Sequence, residues 1–344
     1  MAPSSSDDVL DEAYERLFPY GPEFDGYLSN HGPMVVEVLE RRGRPEATHA
    51  WLDAYTRRLE PAPSMRFAIA RDEWREALGD PKRVGDWLSF FDVGLRERPW
   101  RDVLVEWWPR LAPGAVASAT HGLIRTGHAL RSLEIKETAS RVRELGVALG
   151  YWAARFQPLP AAGRPVGDLG PAEVLARLPR IADPNGGAAT RVSQLTGNFP
   201  WADALSARRP PVDPQHVPAE LDALSEAAVV QYLHCGRADP VMLVHAATAP
   251  AAAAAALQSL PVDLWRLTWE EAWKASAAIT ACYAVTATDS LGPLPSLTAD
   301  EVLSRAVENG DEHLIKFTDA ALLANQRGSA AALSAAGHAV SLFQ

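Results

Sequence analysis

Residues 120–133 read THGLIRTGHALRSL, with His121, Ile124, Arg125 and His128 falling on one stripe at three- and four-residue steps. That period belongs to a helix face and not to the two-residue alternation of a strand. Working outward, apolar residues recur at the same spacing in about 7–18, 33–42, 46–59, 83–96, 101–111, 115–133 and 137–156. They continue in about 171–178, 217–235, 240–257, 264–287, 299–309, 311–326 and 329–342, several opened by Pro or Asp and closed by Gly. Strand alternation bounded by turns is hard to find. The pattern predicts an all-α protein: a single large helical domain over 1–344, built of two packed lobes. The Pro- and Gly-rich stretch QPLPAAGRPVGDLGPAEVLARLPRIADPNGG, residues 157–187, is the place for a lobe boundary.

At 344 residues the chain is long enough to bury a substantial core. It carries 43 acidic and 33 basic residues, a formal charge of −10, with arginines scattered and not gathered in a basic tract, which argues against a nucleic-acid partner. Cys235 and Cys282 lack metal or disulfide spacing and read as buried thiols in a reducing cytoplasm. The N-terminal MAPSSSDDVLDEAYERLF has no basic flank or apolar run of a signal peptide. Uncharged Val241–Val262 has the length to cross a bilayer. However, it is mostly alanine, is interrupted by Pro250 and is flanked by Asp239 and Asp263, so it reads as a buried helix or broken helix pair and no membrane association is expected. Its alanines suit tight helix packing or, alternatively, room for a bulky ligand. No fixed repeat period emerges.

Histidines carry the chemical signal. In SNHGPMVVEVLERRG, residues 29–43, His31 precedes an amphipathic helix with Pro33 in its first turn. It is either a cap or an imidazole kept neutral by the positive helix end and able to bind a metal. His121 and His128 share a face but are about 10.5 Å apart along the axis. Two ligands of one ion, each about 2.1 Å from it, stand no more than about 4 Å apart, so at most one of the pair ligates a given ion. His245 lies in an apolar helix and needs a partner. In DEHLIKFTDAALL, residues 311–323, His313 and Lys316 stand three apart on one helix face. A lysine pointing inward there favours its neutral form, which can take up carbon dioxide as an anionic carbamate. His49 and His216 look like surface residues, and His338 has no obvious partner. Imidazoles with one anionic oxygen suit iron(II), with zinc and manganese as rivals. No HExxH or HxD pattern is present.

Taken in order, SNHGPMVVEVLERRG, ATHGLIRTGHALRSL, VHAATAP and DEHLIKFTDAALL resemble the questin oxidase-like family of fungal aromatic polyketide pathways and bacteria, over about residues 28–326. The resemblance implies oxidative cleavage of an anthraquinone-type ring, by Baeyer–Villiger oxygenation or iron-dependent dioxygenation. It further implies one non-haem iron held by His31, His121, His245, His313 and a carboxylated Lys316. The chain is shorter than the fungal enzymes, and His128 stands where they tend to carry an aromatic residue.

The leading expectation is therefore an Fe(II) oxygenase acting with dioxygen on a small aromatic substrate, with His128 as base or substrate contact and Arg125 holding a phenolate. Trp265, Trp269 and Trp273 form an aromatic stripe at four-residue steps. Such stripes ordinarily belong to a core; Trp273, before the small-residue run KASAAITACYA, is the candidate pocket residue. No GxGxxG follows a strand, so any NADPH would act from outside. The rivals are a zinc-type hydrolase with a carbamylated lysine and a non-catalytic helical binding protein. Oligomeric state is not legible.

Overall fold

Stripes at three- and four-residue spacing fold as helices in the computed structural model, which describes residues 6–197, 199–285 and 296–344. Two units are distinguished: the chain up to Gln157 together with Ala255–Pro261, and Pro158–Ala254 together with Val262–Gln344. The fold is all-α, and its one sheet among the described residues is a two-stranded hairpin.

The first unit contains α1 (Ser6–Leu17), the antiparallel hairpin β1 (Glu23–Phe24) and β2 (Leu28–Ser29), α2 (Gly32–Arg41), α3 (Pro45–Tyr55), α4 (Trp74–Ala77), α5 (Val84–Glu97), α6 (Trp100–Leu111), α7 (His121–Ile135) and α8 (Ala139–Ala154). In the hairpin, Glu23 pairs with Ser29 and Phe24 with Leu28. Helix α8 packs against α5 and α7, while α2 packs against α1, α3 and α7. The core is mostly aliphatic around Leu10, Leu17, Val36 and Leu52 and aromatic around Trp74, Trp87, Phe91 and Trp107, whose rings meet edge to face or stacked.

The expected helix over 115–133 needs correction. A 3₁₀ turn at Ala112–Gly114 is followed by a non-helical approach, and α7 begins only at His121. Ser118, Ala119 and Thr120 have φ of 46°, 53° and 71°. A left-handed turn of three consecutive non-glycine residues cannot continue an α-helix, whatever their helix propensity.

The second unit contains α9 (Pro171–Arg177), α10 (Ala188–Ser193), α11 (Trp201–Ser206), α12 (Val217–Cys235), most of α13 (Pro240–Ala256), α14 (Trp265–Tyr283), α15 (Ala299–Asn309), α16 (Glu312–Gln326) and α17 (Ala332–Leu342). Helix α12 packs against α9, α14, α16 and α17. Helices α4, α10 and α11 lie outside the expected segments, being too short for a periodic stripe. The expected helix over 264–287 ends at Tyr283, and its last two residues lie outside the described ones.

Pro240–Ser259 is long and apolar enough to cross a membrane by composition, yet 67% of its most apolar window is buried in the protein. Ala246, Ala247, Ala249, Ala252 and Ala253 are all buried, which favours the packing reading of this alanine run. Pro250 does not break α13 in two. Proline has no N–H for the carbonyl four residues back, and here the Ser276 hydroxyl donates to that carbonyl, Ala246 O, at 2.7 Å. The freed acceptor is thus satisfied from α14. Cys235 and Cys282 are buried free thiols.

Candidate metal centre

His31 is the N-cap residue of α2, but its side chain makes no capping hydrogen bond. Asn30 does that work: its Oδ1 accepts from Gly32 N at 3.0 Å, and its Nδ2 donates to Gly21 O at 2.9 Å. The His31 amide donates to Tyr55 Oη at 2.6 Å. The imidazole is therefore placed by its backbone and not spent on the helix start.

His121 opens α7 directly after the left-handed turn. The turn brings Ser118 O to 2.5 Å from His121 Nδ1. A carbonyl can only accept, so Nδ1 carries the proton, leaving a lone pair on Nε2 in the neutral ring. His121 Nε2 lies 2.7 Å from His31 Nε2, the rings meeting edge to face at 4.6 Å and 88°. Two lone pairs at that separation repel, so a proton or a cation belongs between them. Each histidine is followed by glycine for a steric reason: a Cβ on Gly32 would fall 2.6 Å from Leu17 Cδ2, and one on Gly122 would fall 2.6 Å from the Trp152 ring.

His245 is fully buried in α13, with Nδ1 3.1 Å from Met242 O. This is again the tautomer with Nε2 available. His313 stands in the first turn of α16, where Asp311 Oδ1 accepts from its backbone N at 2.7 Å and lies 3.4 Å from its Nδ1. Burial by itself raises the Asp311 carboxyl; the His313 ring and the amides of His313 and Leu314 more than offset it and hold it low. The His245 and His313 rings are 5.5 Å apart at 73°.

Each unit thus brings two imidazoles together, His31 with His121 in the first and His245 with His313 in the second. Three of the four residues are buried and His313 partly so. Paired imidazoles of this kind offer ring nitrogens that can bind a metal ion.

Lys316 is 2% exposed, and its Nζ has no hydrogen-bond partner. Burial pulls the ammonium down to about 7, opposed by Glu312 and Asp311. An amine so placed is a nucleophile near neutrality.

The other expected residues have well-defined partners. His128 Nδ1 lies 2.7 Å from Glu37 Oε2 and 2.8 Å from Arg131 Nη2; protonated it donates to the carboxylate, deprotonated it accepts from the guanidinium. Arg125 donates from Nε and Nη2 to Glu144 at 2.6 and 2.9 Å, leaving Nη1 for any other partner. Trp273 is buried against Trp269, with its indole Nε1–H lacking an acceptor.

Glu37 is the residue that the sequence reading passed over. It is buried on α2 among Val35, Val36 and Val38, and takes bonds from His128, Arg131 and Arg41. Burial pushes its carboxyl up, but Arg131, His128 and Arg41 overcome this and hold it at about 2. Its signal was a carboxylate inside an unbroken apolar run, with Arg41 four residues on. The repeated His-Gly dipeptide was a second signal.

No protein-family model matches this sequence, and no curated protein matches it.

Proposed function

We propose that the chain is a mononuclear non-haem iron oxygenase acting on an aromatic polyketide or another polycyclic phenol, as a questin oxidase-like protein would. The observation carrying this reading is the two histidine pairs, His31 and His121 with their Nε2 atoms 2.7 Å apart, and His245 and His313 with their rings 5.5 Å apart. The donor set fits a resident metal: Ser118 O and Met242 O hold the proton of two of the rings on Nδ1 and turn Nε2 towards a ligand, and Lys316 adds an orphaned buried amine. Iron(II) bound there would activate dioxygen towards an electron-rich ring.

Lys316 supplies the fifth donor by carboxylation: the neutral amine adds to carbon dioxide, one N–C bond forms and one proton leaves, giving a carbamate. His128, oriented by Glu37, accepts the phenol proton of the substrate. Arg125 contributes through Nη1, its other donors being held by Glu144, and Trp273 offers its unfilled indole N–H to a substrate oxygen. No nucleotide-binding motif accompanies these residues, so reducing equivalents, where the reaction uses them, come from a separate donor. The free thiols suit a reducing compartment such as the cytoplasm.

Metal analysis of the purified protein, coupled to oxygen uptake with a hydroxyanthraquinone, tests the reading. Stoichiometric iron with substrate-dependent oxygen uptake is expected, and both should be lost in His31→Ala and His121→Ala. Zinc with turnover in the absence of oxygen would instead make it a hydrolase. Protein without metal, or metal content indifferent to both substitutions, would leave a helical binding protein with buried polar histidines.

A further inference from the structure

A different chemistry collects in the second unit, where a cavity of about 620 Å³ is lined by residues 161–165, Arg164 among them, and by Arg208, Arg266, Lys274 and Glu270. Four cations thus face one lining carboxylate. Glu270 lies 3.5 Å from Arg266, and Lys274 lies 2.6 Å from Glu271. Neither Arg164 nor Arg208 has a carboxylate within ion-pair distance among the described residues.

Arg208 is the unusual member. It is 1% exposed and lies over the Trp269 ring at 5.1 Å. Nη1 donates to Leu205 O at 2.6 Å, while Nε has no partner. A buried guanidinium without a counter-anion is unfavourable, because its hydration is lost and nothing replaces it. Burial draws its proton affinity down to about 10; Glu270 and Glu271 oppose the effect and Arg266 adds to it. The flat fork of a guanidinium matches the oxygens of a phosphate or carboxylate.

We propose that this cavity binds a phosphomonoester, with its dianionic group on Arg208 and Arg266, Arg164 and Lys274 flanking it, and a hydroxyl or amine of the organic part on Glu270. Two negative charges match a surface with several cations in excess better than the single charge of a monocarboxylate does. The volume exceeds that of a bare phosphate and falls in the range of about 300–1,000 Å³ typical of small-molecule sites, which suits a sugar phosphate or nucleotide.

Titration calorimetry on the full chain with AMP, ribose 5-phosphate, inorganic phosphate and unphosphorylated adenosine tests this. Both phosphate esters should bind saturably and more tightly than inorganic phosphate, and adenosine should give no saturable heat. Arg266→Gln, at a half-exposed position, should weaken AMP binding about tenfold, the size of one charge-assisted contact. Arg208→Gln should abolish it. His121→Ala should have no effect. Absence of saturable binding up to about 10 mM ester, unchanged affinity in Arg266→Gln, tighter binding of succinate than of AMP, or loss of binding in His121→Ala would each overturn the proposal. The last outcome would place the phosphate at the histidines instead.

Discussion

His121 and His128 stand on one face of α7 and are equally buried, at 6% exposure each. They differ in what holds Nδ1. At the helix start it is a backbone carbonyl, which keeps a proton on Nδ1 and turns Nε2 to other partners; two turns on it is a carboxylate shared with two guanidinium groups. The first arrangement suits a ligand and the second a charged polar network. Two identical side chains at equal depth thus acquire different chemistry from their neighbours alone.

The sharpest way to break the contrast is to remove the carboxylate. Glu37→Ala leaves Arg131 and Arg41 without their buried partner and should lower the unfolding free energy by about 3–5 kcal/mol, read by chemical denaturation. A change below about 1 kcal/mol would mean that solvent screens the network. It would then be no different in kind from the exposed pair Arg71–Glu97.

The same carboxylate sets an acid limit. Its pKa is near 2, against an ordinary 4.5, so the charged form is favoured by the fold. The stabilisation is complete above about pH 4.5 and is lost as pH falls through 2, because protonation of the folded state then catches up with that of the unfolded chain. Wild type should therefore lose about 3 kcal/mol relative to Glu37→Gln across that interval. Parallel stability curves for the two proteins between pH 5 and pH 2 would contradict this assignment.

His128→Gln should cost about 1–2 kcal/mol while leaving metal content intact, whereas His121→Ala should empty the centre. Equal metal loss from both would dissolve the distinction between them.

Much of this was readable from residue spacing. The long helices came from apolar stripes, and the steric limit on His121 and His128 already separated their roles. What escaped notice depended on backbone conformation or distant partners. Nothing in AVASATHG announces a left-handed turn, because Ser118, Ala119 and Thr120 all tolerate a helix. Pro250 suggested a broken pair because Ser276, 26 positions away, is invisible to local pattern. Likewise Glu144 neutralises Arg125 from a neighbouring helix, which no reading of α7 alone could supply.

The left-handed turn itself offers the finest probe of the His121 side. An L-residue in that conformation costs about 1–2 kcal/mol, and a glycine there costs only the added entropy of its unfolded chain. Ala119→Gly should therefore stabilise the protein by about 0.5 kcal/mol in thermal unfolding. Yet the turn is also what holds Ser118 O against His121 Nδ1, and a freer hinge at 119 would let that carbonyl drift. Metal affinity should accordingly fall by about tenfold, the lower end of what disturbing a ligand's outer partner does. Stability and affinity moving in opposite directions would tie the strain to the metal centre. If both rise together, the turn is only a costly route into α7, and the advantage of His121 over His128 lies elsewhere.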